Sequence, residues 1–103
     1  KVEQALFLLD DMRRQEVVPN AISYGAVISA CEKVGDYEKA LEIMETMNQN
    51  GVESNVVAYS AAISACEKGT QYDKAMSLLE EMRQTGVLPN VVTYSAAISA
   101  CEK

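Results

Sequence analysis

An all-α fold is predicted, an α-solenoid of stacked helix-turn-helix hairpins, and three observations predict it. The stretch from Tyr59 to Lys68 returns unchanged from Tyr94 to Lys103, 35 residues later, and a looser copy runs from Tyr24 to Lys33. Apolar residues fall at helical spacing within and between these copies. The residues that start helices (Asn20, Asn55, Asn90) and stop them (Gly51, Gly86) recur at the same period. Self-similarity at a fixed period of this length marks a repeat architecture, in which each unit buries its apolar faces against its neighbours.

Residues 1 to about 15 read as the first helix. Ala5, Leu6, Leu8, Leu9 and Met12 form its apolar stripe, with Glu3, Asp10, Asp11, Arg13 and Arg14 outside. Pro19 cannot continue it. Asn20 is the expected N-cap of a second helix over about 21–33, where Tyr24, Val27, Ile28 and Cys31 share one face. Val34-Gly35-Asp36 breaks that pattern, and Asp36 caps a helix over about 36–49, which carries Tyr37, Ala40, Leu41, Met44 and Met47 on one side. Gly51 is a left-handed terminator, with Val52 folding back on Met47. The order then repeats: Asn55, a helix over about 56–68, a turn at Gly69-Thr70, a helix over about 71–84, Gly86 to Asn90, and a last helix over 91–103.

Residues 21–55 and 56–90 are identical at 17 of 35 positions, and 56–68 matches 91–103 at 12 of 13. The unit is helix A, turn, helix B, turn. Residues 1–20 are then the second helix of a partial unit, 21–55 and 56–90 are complete units, and 91–103 is the first helix of a further one. Neither end carries a polar capping helix, so a longer solenoid with flanking units is expected. In the partial unit Glu16 stands where Gly51 and Gly86 stand. A left-handed non-glycine residue costs about 1–2 kcal/mol, so that turn is expected to be built differently.

Composition closes several classes. With 103 residues, 49% of them apolar, the chain has one domain's worth of material. It has no run of about 18 apolar residues, so no membrane span or membrane partner is expected, and no targeting leader is visible. Histidine is absent, which removes the commonest general base and metal ligand. Without a Gly-rich phosphate loop or a clustered cysteine–carboxylate site, no enzyme, metal or cofactor is expected. Cys31, Cys66 and Cys101 occupy one place in successive units. Stacked helices lie roughly 8–10 Å apart, too far for easy bridging, so buried reduced thiols are expected. The Asp10-Asp11 and Glu80-Glu81 pairs read as solvated faces.

Helical-pair repeats of similar length differ in their signatures. Tetratricopeptide repeats expect a Trp and ankyrin repeats a Thr-Pro-Leu-His-like turn, and both are missing. The 35-residue period, the opening from Val56 to Ser60, Ala75 early and Met82 late in helix B, and the close from Gly86 to Asn90 together resemble the pentatricopeptide repeat. The resemblance covers the whole chain; Thr70 for Gly35, and Ser54 for Pro19 and Pro89, are its small departures. It implies a right-handed superhelix, like that of tetratricopeptide repeats, binding single-stranded RNA in mitochondria or chloroplasts at one base per repeat. By resemblance the specificity pair is Gly25 with Asn55 in the first complete unit and Ser60 with Asn90 in the second; Asn20 and Ser95 are halves of outer pairs. Ser followed by Asn resembles an adenine reader, whereas Gly25 leaves its unit to Asn55 and weak discrimination. Ile22, Val57 and Val92 are the implied wedges between bases, unless they only start a helix and pack on the preceding repeat. The asparagines are equally explained as caps.

The formal charge of −6 resides on helix B and the turns: −1 over 1–19, −4 over 35–54 and −1 over 70–89. Each helix A nets zero. Lys33, Lys68 and Lys103 end those helices, where a cation favours the dipole and can also meet a phosphate. The acidic total, the bare Gly25 and the few basic residues fit a second expectation, a scaffold module that binds protein in a large assembly such as an organellar ribosome.

Overall fold

The computed structural model describes residues 2–102, and among them six helices run in chain order. They are α1 (Val2–Arg14), α2 (Ala21–Val34), α3 (Tyr37–Gln49), α4 (Val56–Lys68), α5 (Tyr72–Gln84) and α6 (Val91–Glu102). The A helices are α2, α4 and α6; the B helices are α1, α3 and α5. Most expected helix ends are met within a residue, because side chains fix them. Asp36 caps α3 by accepting from Lys39 N at 3.1 Å, and an asparagine caps α2 and α4.

All three B helices close in the same way. Val17 N donates to Met12 O at 2.8 Å, Val52 N to Met47 O at 3.0 Å, and Val87 N to Met82 O at 2.9 Å. Each closure turns the chain through one left-handed residue: Glu16 (φ 62°), Gly51 (φ 78°) and Gly86 (φ 83°). The expectation that Glu16 would avoid this conformation is therefore corrected. The six-to-one bond and the return of Val17 satisfy carbonyls that would otherwise lack partners, and they hold a conformation that Glu alone disfavours. Thr70 (φ 56°) does the same at the end of α4, where α2 uses Gly35 (φ 73°). Beside it, a Cβ on Gly69 would overlap the ring of Tyr37. The preceding repeat thus reaches across this turn.

Each A helix packs on the next, α2 on α4 and α4 on α6, and each B helix packs on the A helices flanking it. Among the described residues the backbones of the B helices do not approach one another as those of the A helices do. Small residues let the A layer close up: Ala58, Ala62 and Ala65 of α4 are fully buried. Met47, Met82, Ile28 and Ile63 fill the space between the layers. The result is an elongated body of 43 × 28 × 19 Å.

Tyrosines pin the layers through their hydroxyls, Tyr24 and Tyr59 from buried positions and Tyr94 from an exposed one. Arg13 Nη2 (2.6 Å) and Asn50 Nδ2 (3.0 Å) donate to Tyr24, Tyr59 donates to Glu81 Oε2 at 3.0 Å, and Arg83 Nη2 donates to Tyr94 at 2.9 Å. Glu81 is therefore more than a solvated charge. Two further expectations are corrected. Leu8 is exposed, and the α1 contact is made by buried Leu9 with Ala5, Leu6 and Met12 partly buried beside it. Cys101 is exposed while Cys31 and Cys66 are buried; among the described residues α4 is covered by α5, and α6 is the last helix.

Replacing Thr70 with Gly relieves the left-handed strain, and urea unfolding is expected to show a gain of about 1 kcal/mol. Burial pushes the Cys66 thiol up from 9.0 to about 11. Burial, with Asp36 adding to it, also raises Cys31. The Cys66 contribution to the folded state is fully present below pH 9.0 and is lost as pH climbs toward about 11, and Cys31 acts in the same direction. The unfolding midpoint should fall across that window, and Cys66→Ala should flatten the fall.

Candidate nucleic-acid interface

The A-helix face is built from helix N-termini. Asn20 Oδ1 accepts from Ile22 N (3.0 Å) and Ser23 N (3.1 Å). Asn55 Oδ1 accepts from Ala58 N at 3.0 Å, and Asn90 Oδ1 from Thr93 N at 3.0 Å. All three asparagines cap, and Asn55 Oδ1 accepts one cap bond. Asn90 Oδ1 also accepts from Thr93 Oγ1 at 2.9 Å. Both its lone pairs are used, and its side chain is left with Nδ2, a donor only. The sequence-level expectation that Asn90 both donates and accepts is corrected on that ground.

An open groove of about 260 Å³ brings Ser60, Asn90, Val57 and Val92 together, with Ser29, Glu32 and Ser64 among its other walls. Within this one groove lie the expected specificity pair of unit 56–90 and both flanking aliphatics. Val57 (57% exposed), Val92 (59%) and Ile22 (79%) stand largely in solvent. Val57 also lies over Gly25 of the preceding repeat, its Cγ1 3.9 Å from where a Cβ would stand. Ser60 is only 6% exposed, and its hydroxyl is already engaged. It lies 2.8 Å from Thr93 Oγ1, which in turn donates to Asn90 Oδ1 at 2.9 Å and accepts from Asn90 N at 3.2 Å.

Thr93 was not legible as a site residue, although one signal pointed to it. It is the single mismatch between 56–68 and 91–103, standing where the other copy has Ala58. Gly25 is buried under Val57, whose Cγ1 would sit 3.9 Å from an added Cβ. Ser95 is exposed on α6.

The expected phosphate contacts fare unequally. Lys68 Nζ is held by Glu32 Oε2 at 2.6 Å, a stitch between successive A helices that neutralises the cation. Lys33 is exposed. Lys103 lies outside the described residues.

Comparison with known proteins places this geometry. The pentatricopeptide repeat domain model matches residues 7–69, and the PPR repeat family model matches residues 54–103. No curated protein is similar enough to match. Among solved structures the chain is similar to the pentatricopeptide repeat protein PPR10 from maize. The TM-score is 0.82 with 30% identity, over 96% of this chain and 14% of that one. It is also similar to PPR10 in complex with an 18-nt psaJ RNA element, with TM-score 0.86 and 22% identity, over 95% of this chain and 14% of that one. The chain thus spans about a seventh of the solved chains it matches.

Because capping uses Oδ1 and leaves Nδ2, two substitutions separate the roles of Asn90. Asn90→Ala should cost about 1 kcal/mol in denaturation. Asn90→Asp should keep the cap, and hence the stability, while replacing the groove's donor with an acceptor.

Proposed function

The chain belongs to the pentatricopeptide repeat family, and from that premise we propose that it binds single-stranded RNA along its A-helix face, one nucleotide to a repeat. As a member of a repeat family it is a scaffold, not an enzyme. The observation that carries the proposal is the shared groove, in which Ser60 and Asn90 lie between exposed Val57 and Val92. The complex of PPR10 with an RNA element supports the same ligand class.

In this reading Val57 and Val92 flank one base, each presenting a stiff apolar face to a flat ring. Ser60 and Asn90 meet its edge, and adenine is the preferred base of unit 56–90. Unit 21–55, with Gly25 beside Asn55, discriminates weakly. Ile22 wedges in the same manner, and Asn20 and Ser95 complete pairs with flanking repeats. The work is organellar, in a mitochondrion or chloroplast, within a larger RNA-processing protein.

A second reading keeps the same scaffold and gives it a protein ligand in a large assembly. Glu32 favours it, since this acid stands on the groove wall and pairs with Lys68. Few cations then remain for phosphates.

Titration of these repeats within their flanking repeats, against short RNAs at low and moderate salt, decides between the two. RNA binding should weaken with salt at a slope of about −0.7 per phosphate contact, with few such contacts here. Changing the nucleotide opposite unit 56–90 from adenine should weaken it further. No binding at low salt would leave the protein-scaffold reading standing.

A further inference from the structure

We propose that Thr93, from the repeat that follows, is a positioning residue that sets the hydrogen-bonding polarity of the Ser60–Asn90 pair, so that unit 56–90 separates amino bases from keto bases. The inference rests on the RNA reading above.

A hydroxyl carries one proton and two lone pairs. Thr93 Oγ1 gives its proton to Asn90 Oδ1 at 2.9 Å and accepts from Asn90 N at 3.2 Å. Its remaining lone pair faces Ser60 Oγ at 2.8 Å. Ser60 must therefore be the donor in that contact, and its own proton is spent. Thr93 is fully buried, so water does not compete for these bonds.

What remains toward the groove has a fixed sense. Ser60 Oγ can only accept, and Asn90, with Oδ1 taken by Thr93 N and Thr93 Oγ1, can only donate through Nδ2. Adenine and cytosine present an exocyclic N–H beside a ring-nitrogen acceptor. Guanine and uracil present an exocyclic carbonyl beside a ring N–H, the reverse order. A pair of fixed sense in a fixed orientation suits one order and leaves the other unpaired. With adenine as the preferred base, its amine meets Ser60 and its ring nitrogen meets Asn90.

The first complete unit lacks this device. Ala58 stands in place of Thr93 and Gly25 in place of Ser60, and Asn55 Oδ1 takes its cap bond from Ala58 N. Ser23 makes the same two contacts with Asn20. Among the described residues, however, the lock is complete only at the junction of Ser60, Asn90 and Thr93, and its key residue lies outside the repeat whose specificity it sets.

The test compares the full wild-type chain with Thr93→Val and Thr93→Ser, each selected against a randomised single-stranded RNA pool and the bound RNAs sequenced. Wild type should show one position enriched in adenine and cytosine over guanine and uracil. Thr93→Val keeps the shape but frees the Ser60 proton, so the bias at that position should shrink by about ten-fold while other positions hold. Thr93→Ser should restore it. If thermal melting shows Thr93→Val unfolded, Thr93→Ala takes its place. An unchanged bias in the hydroxyl-free variant, or a serine variant that behaves like it, overturns the lock but leaves RNA binding intact. A Thr93-dependent bias toward keto bases keeps the lock and removes the adenine assignment. A wild-type chain that retains no RNA takes down both.

Discussion

The close stacking of the A helices is the constraint on which the other features depend. α4 touches α2 and α6 within its own layer and α3 and α5 across it, while the B helices stay apart. Alanines at 58, 62 and 65, all without exposed surface, make that approach possible, since any larger side chain would push the layer open. Because the A helices approach closely, equivalent residues of neighbouring repeats face a common groove. Splayed B helices offer no such juxtaposition along the opposite side.

The same asparagines serve the backbone and the groove. A helix N-terminus has amide protons without intrahelical partners, and an asparagine carbonyl turned inward satisfies one or two of them. Its amide is then turned outward by necessity. Helix capping thus orients the donor that a ligand would meet, and the two roles are coupled. Electrostatics pulls the other way. The ion pair of Glu32 with Lys68 joins neighbouring repeats but removes a cation from the face where phosphates would lie. Affinity in such a groove has to come from base contacts more than from charge.

Helix ends and turns were legible in the sequence because they depend on nearby residues: Asp36 reaches Lys39, Asn55 reaches Ala58 and Val52 returns to Met47. The residues lining the groove were named through the family resemblance, and the period carries each of them from one repeat to the next. Where reading by analogy failed, at Glu16, the glycine rule gave way to the closing hydrogen bonds. Those bonds make the turn left-handed whichever residue occupies it.

By itself, then, the sequence determined the helical hairpin, its period, its caps and the composition of the A-helix face, all of which are set within a few residues along the chain. Only the tertiary structure decided which hydroxyl Ser60 meets, that Lys68 is already paired and that Tyr59 reaches Glu81. Each of these depends on how far one helix is rotated and shifted against another. Small side chains distributed along both faces of α4 allow several such registers on paper, and only packing selects one.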